Sequence, residues 1–362
     1  MIVPAAAGGP TDTLTRILAE RMRVFLGQPI IIENNGAAGG TIAVGRVARA
    51  TADGYTIGIG QYGHYVLNGA IYPLQYDLLT DFEPIAFVAS NPQVIVAKYS
   101  ISAKDLRELI TWLKANPGKA SQGTAGAGSP AHVSGIYFQN VAGVNFQFVP
   151  YRGAAPAMQD LMAGQIDLMI DQASNALPQV RAGGIKAYAV TAKTRLLGAT
   201  DIPTVDEAGL PGFYVSVWHG VWAPKATPSE VVAKLNAALV DALADPKVRQ
   251  RLAELGQEVP PRDEQTPEAL RAYQRAAGRE QRKRRPELAG EVMHPEVGAV
   301  RAEFLSCHRE LDRLQQRVGR RARVRLRRRR PMAEGEETDF FHGGIYGGDA
   351  LSMRPSNRKI DG

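Results

Sequence analysis

Apolar positions switch between two periods along the first 276 residues. Leu14, Ile17, Leu18, Met22 and Phe25 recur at helical spacing, and Ile30–Ile32 follow as a short apolar strand. A small-residue helix is predicted over Thr41–Ala50 and a strand over Tyr55–Gly60, with strand-like runs at Pro84–Val88 and Gln93–Ala97. Asp105 then opens a helix that sets Leu106, Leu109, Ile110 and Leu113 on one face and stops at Asn-Pro-Gly, 116–118. Helices are expected at Ala131–Val141 and Ala154–Ala163, and strands at Phe146–Pro150, Ile166–Asp171 and Ala187–Thr191. An extended stretch, Tyr214–Trp222, precedes helices at Pro228–Ala244 and Pro246–Gly256 and a further one over Thr266–Gln274. This rhythm predicts an α/β fold with parallel, doubly wound sheets, whose ligands sit beyond the carboxyl ends of strands.

Glycine turns mark those strand ends. In VPAAAGGPTD (Val3–Asp12) a strand end meets a tight turn and a helix start, with Pro10 just inside. The first backbone N–H groups of such a helix lack intrahelical partners and favour a carboxylate or phosphate. GTAGAGSPAH (Gly123–His132) repeats the pattern: its amides and the Thr124 and Ser129 hydroxyls can cradle an anion, or Ser129 can cap a helix with Pro130 at its first position. The two readings are compatible. Gly58–Gly63 fits GxGxxG after a strand, which raises a dinucleotide site, but no helix is predicted to open after it. Lys119 is followed by Ala120, so there is no P-loop, and Ala127 stands where a nucleophile elbow needs glycine.

His64, His132 and His219 are scattered without metal-ligand spacing and read as polar lining or surface residues. Asp171 ends an apolar strand, where it either meets a ligand or caps the following turn. No pair of carboxylates has a context that suggests acid–base chemistry, so the body reads as a binding module, with no cofactor and no metal.

Charge changes the picture at the C-terminal end only. Residues 1–276 hold 23 Lys and Arg against 23 Asp and Glu, so the whole formal charge of +7 falls in 277–362. The body therefore carries no nucleic-acid footprint. The tail has 18 Arg and 2 Lys, with basic blocks at Arg282–Arg285 and Arg327–Arg330. Phe304, Leu311, Leu314 and Val318 can form an amphipathic helix there, and the rest of the tail reads as disordered. Cys307, the single cysteine, excludes an intramolecular disulfide. Met1 is followed at once by Ile2, Val3 and Pro4, with no basic segment or apolar h-region, which taken literally predicts a cytoplasmic chain.

Six stretches in order, VPAAAGGPTD, ENNGAAGGTIA (Glu33–Ala43), ADGYTI (Ala52–Ile57), VPYRGAAPAMQDLMAGQID (Val149–Asp167), IPTVDEAGLPGF (Ile202–Phe213) and the Trp218–Pro228 region, strongly resemble the substrate-binding proteins of tripartite tricarboxylate transporters, the Bug family. The resemblance covers residues 1–275. It implies a two-domain, type II periplasmic-binding-protein-like fold: 1–98 plus 214–276 as domain one and 99–213 as domain two, with a ligand cleft between them. It implies a monomeric, periplasmic receptor for a small organic carboxylate, with the membrane subunits of a transporter as partner. Carried over by motif, Ala6, Ala7, Gly8, Gly9 and Asp12 form the first anion loop, and Gln61, Tyr62 and Gly63 line the wall of domain one. Thr124, Ala125, Gly126, Ser129 and His132 form the opposing loop, and Asp171 with Gln172 faces the far end of the ligand. A second carboxylate, a hydroxyl or an amine there would set specificity.

The chain departs from the family pattern at three places. Ala5 stands where the family has an aromatic residue, which is expected to widen that side. Family chains begin earlier, with an export signal, whereas Met1 falls near the end of the first strand; its neighbours are expected to have unpaired ladder groups. The Arg-rich tail stands where the family has a short C-terminal helix, and its many Arg and few Lys point to out-of-frame reading of GC-rich DNA, with a genuine extension as the alternative. A carboxylate receptor, encoded in truncated and altered form, leads; a Rossmann-type nucleotide-dependent enzyme, a non-functional gene remnant and a tail that binds nucleic acid are the alternatives.

Overall fold

The computed structural model describes residues 1–277. The predicted Arg-rich tail, with its amphipathic helix and Cys307, lies outside the described residues except for Ala277, the last described residue of a helix that starts at 267. Ile2–Val3 form β1, and the chain turns at Gly8 and Gly9 into α1 (Pro10–Leu26), which Gly27 ends in a left-handed conformation. β2 (Glu33–Asn34), α2 (Thr41–Ala48) and β3 (Gly58–Gln61) follow, then a wide helical turn, Gly63–Leu67, that runs into α3 (Asn68–Ile71). β4 (Phe82–Lys98) leads to α4 (Leu106–Ala115), β5 (Ser121–Thr124), α5 (Pro130–Ala142), β6 (Gln147–Pro150), α6 (Ala154–Met162), β7 (Leu168–Gln172), α7 (Ala173–Arg181) and β8 (Ile185–Val190). β9 (Ser216–Pro224), α8 (Ser229–Ala244) and α9 (Pro246–Glu254) bring the chain back.

Two sheets share one long strand. Residues Phe82–Pro92 of β4 pair with β9, and Gln93–Lys98 pair with β7 and β8, so β4 changes partners between Pro92 and Gln93. The first sheet runs β2-β1-β3-β9-β4; in the second, β4 lies between β8 and β7, and β5 and β6 follow. β1 is parallel to β2 and β3, and β5 to β6 and β7. The expected parallel pairing is corrected at β4 and β9, which pair antiparallel with each other; β3 also pairs antiparallel with β9, and β7 and β8 with β4. β4 and β9 carry the chain between the sheets in opposite directions, and neighbours that run oppositely pair antiparallel.

Other boundaries differ for local reasons. β1 pairs Ile2 with Glu33 and Val3 with Asn34, so the ladder falls after Ile30–Ile32; Ile30 and Ile32 pack half-buried on the core instead, and Ile31 is exposed. The two predicted strands 84–88 and 93–97 are one, because Ser90 exchanges backbone hydrogen bonds with Glu258 and holds the polar segment between them extended. α7 was hidden by Pro178, a residue that reads as a helix stop. The neighbours of β1 keep their partners: Ile2 donates to Ile57, and Glu33 and Asn35 donate to Met1 and Val3.

Apolar faces follow the predicted stripes. Leu14, Leu18 and Met22 of α1 pack with Leu239 and Leu243 of α8 against Ile59, Val88 and Val221 of the first sheet. On its other face Tyr65 stacks on Trp222 with ring centroids 3.7 Å apart, both fully buried. Gly58 and Gly60 make room for that ring: a Cβ on either would stand 2.2 or 2.7 Å from Tyr65 atoms. The GxGxxG pattern thus serves internal packing, although a helical turn does open at Gly63, against expectation.

Candidate functional site

Four helices start at one cavity of about 70 Å³. Gly9, Pro10 and Thr11 bring the N-terminus of α1, Ser129, Pro130 and Ala131 that of α5, Gly153 and Ala154 that of α6, and Gln172 that of α7. A water needs roughly 10–15 Å³ of such space, so there is room for a handful of heavy atoms. No side chain caps α1, α6 or α7, so the amides of their first turns, prolines such as Pro10 excepted because they have no N–H, are donors at the positive ends of helix dipoles. Exposed Arg152 is the one cationic side chain lining the cavity among the described residues.

The floor is polar and buried. Asp171 is 2% exposed; its Oδ1 accepts from the Gln172 amide at 2.8 Å and its Oδ2 from Asn175 Nδ2 at 2.5 Å. Burial pushes its carboxyl up to about 6 against the pull of those two bonds. Gln172 Nε2 reaches Gln61 Oε1 across the cavity at 3.4 Å, while Gln172 Oε1 is buried with no partner. His64 lines the cavity; its Nδ1 accepts from the Gln61 amide at 3.4 Å, which assigns the proton to Nε2. Burial pulls His64 down to about 4, so it is neutral at pH 7. Behind it His219, fully buried and pulled down to about 3 by burial and then by His64, contacts the Thr11 hydroxyl at 3.3 Å.

Of the residues expected at the site, Ala6, Gly9, Gln61, Gly63, Ala125, Ser129, Asp171 and Gln172 line the cavity. Asp171 lines the cavity and also holds the turn after its strand through the Gln172 amide, and Ser129 caps α5 by accepting from the His132 amide at 3.3 Å. The others do not line it. Asp12 Oδ2 accepts from the Gly8 amide at 2.8 Å and from Arg16 Nε at 2.9 Å, so it folds the first loop instead of facing a ligand. Burial raises the Asp12 carboxyl, but those bonds outweigh it and hold it below the usual range. Thr124 accepts from the Gly126 amide and His132 Nδ1 from the Gly128 amide, which shapes the second loop. Tyr62 packs on Trp218, and Ala7 and Gly8 form the outer side of the first turn.

Sequence reasoning passed over Pro4, Thr11, Gly36, Gly39, Asn68 and Ala127, and the whole Arg152–Ala154 segment, and it placed His64 no further than polar lining or surface. That segment carried a usable signal: strand end, glycine, helix start, the same order as in the first loop. Ala5 does line the cavity, as its position among family motifs suggested.

Comparison with known proteins decides the family. The sequence model of the tripartite tricarboxylate transporter family receptor matches residues 14–282. The chain belongs to that family. Among solved structures, the receptor resembles the periplasmic binding protein BugD, at 43% identity and a TM-score of 0.74, over 81% of this chain and 96% of that one. It resembles MatC of Rhodopseudomonas palustris with bound malate at 39% identity and a TM-score of 0.72, over 79% and 97%. It resembles R. palustris Rpa4515 with adipate at 32% identity and a TM-score of 0.74, over 80% and 96%. The family receptor accordingly has the two-domain, type II periplasmic-binding-protein-like fold, with both sheets described above.

Proposed function

We propose that this chain is an extracytoplasmic receptor that closes around a small organic carboxylate and delivers it, as a monomer, to the membrane subunits of a tripartite tricarboxylate-type transporter. The observation that carries the reading is the convergence of four helix N-termini on one small cavity, three of them without side-chain caps. Each such end favours a negative charge by about 0.3–1 kcal/mol, more when partly buried. Arg152 adds a full positive charge, and charge-assisted hydrogen bonds strengthen once water is excluded. The malate and adipate of the two related structures are carboxylates of the same class.

Residues 1–98 with 214–276 act as one lobe and 99–213 as the other, and β4 and β9 are the connections about which they move. Ala6 against Gly153, and Gln61 bonded to Gln172, belong to the closed arrangement of these lobes. Thermal unfolding of the full chain with a panel of mono- and dicarboxylates tests the reading. A ligand at a hundredfold its Kd adds about 2.7 kcal/mol of stability. A panel that leaves the melting temperature unchanged throughout contradicts it.

A further inference from the structure

The polar atoms of the cavity are unevenly distributed, and the imbalance bears on which carboxylates fit. Amides at helix starts and Arg152 are donors. Asp171 and Gln172 present acceptors instead. The Asp171 oxygens take one bond each, from the Gln172 amide and from Asn175, and an ionised carboxylate has about four acceptor positions. Gln172 Oε1, on a side chain 5% exposed, has no partner. Asp171 has no ion pair with any described residue, so its charge is compensated by two hydrogen bonds alone.

Resting on the receptor reading above, we propose that this floor selects carboxylates that also carry a hydrogen-bond donor, a hydroxyl or an ammonium, over plain carboxylates of the same length. A donor-bearing ligand fills the open acceptor positions on Asp171 and Gln172 while its carboxylate takes the amides of the helix starts. A plain chain in that place leaves Gln172 Oε1 buried and unpaired and the remaining acceptor positions of Asp171 unfilled, the arrangement that sites built for a polar group penalise most. A second ionised carboxylate set against Asp171 meets like charge at close range in a poorly screened site. The cavity of about 70 Å³ further restricts the ligand to a short one.

Calorimetric titration of the full chain with matched pairs tests this: lactate against propionate, malate against succinate, and alanine against propionate. The donor-bearing member of at least one pair binds about tenfold more tightly or better, and the lactate and alanine arms separate a hydroxyl from an ammonium. In Asp171→Asn the ratio within that pair falls toward one, and Gln172→Leu, which keeps the carboxylate, lowers it by a smaller factor. Ligand-free melting curves verify that both variants are folded. Equal or tighter binding of every plain member overturns the inference and leaves the receptor reading standing. Absence of binding by every carboxylate, in a protein that melts cooperatively, overturns both.

Discussion

Gly153 stands so close to Ala6 that a Cβ built on it would lie 2.6 Å from the Ala6 Cβ. The contact joins the loop after β6 to the loop after β1, and Gly128 meets Ile71 in the same way, at 2.3 Å from Cδ1. Gly153 has φ +155 and ψ 169, a region that only glycine enters readily. Gly153→Val is therefore expected to hold the two loops apart and to weaken carboxylate binding by about tenfold or more. Titration of the variant, with small-angle scattering to follow ligand-induced compaction, checks this; unchanged affinity and compaction would refute it.

Asp12 governs the first loop without lining the cavity. Its carboxylate holds the Gly8 amide and Arg16, and it is 2% exposed. Asp12→Ala should cost about 1.5–3 kcal/mol of stability, the usual range for hydrogen bonds to a charged group. It should also weaken binding by loosening the amides of the α1 start. Arg16→Ala should do little, because that side chain is mostly in water. Denaturant unfolding and titration of the two variants side by side distinguish the roles.

Buried titratable groups fix the acid response. His64 and His219 lie at about 4 and 3, below the ordinary 6.5, so between pH 6.5 and 4 the unfolded chain binds protons that the folded chain refuses. Stability therefore falls as pH falls through that window. Asp171, raised from 3.8 to about 6, works in the opposite sense: the folded chain keeps its proton between pH 6 and 3.8, so acid relieves an unfavourable charge. Asp171→Asn should be more stable than the parent near pH 7, by roughly 1–3 kcal/mol for a shift of about two units. Its stability should then fall more steeply between pH 6 and 4. Urea unfolding at pH 7, 6, 5 and 4 reads both slopes; identical slopes would contradict this assignment.

Trp222 supports the first sheet and does not line the cavity. Its stack on Tyr65 and its full burial predict that Trp222→Ala loses roughly 3–5 kcal/mol. A loss below about 1 kcal/mol in equilibrium unfolding would mean that the stack contributes little.

Much of this was legible in the chain, for reasons visible at particular residues. The stripe from Leu14 to Met22 is local, and it marked α1 because one helix face meets one core. Asp105 and Ser129 declared helix starts through their own side chains. The antiparallel placement of β4 and β9 was hidden, since strand direction depends on partners distant in sequence. Arg152 was missed at the site, and His64 was placed no further than polar lining or surface, for a related reason: a lone polar residue has no periodicity, and only loops distant in sequence bring both to one cavity. Asp12 and His132 were read as ligand contacts because the sequence shows which loop a polar side chain joins, not the side of the loop to which it turns.

The most direct test of the central claim compares anions with uncharged isosteres. Titrating the full chain by calorimetry with short carboxylic acids and with their carboxamides, at pH 7 and moderate salt, isolates the charge that the helix starts and Arg152 are placed to hold. The account predicts saturable binding of at least one carboxylate and no measurable binding of its amide. Equal binding of both, or of neither, would contradict it.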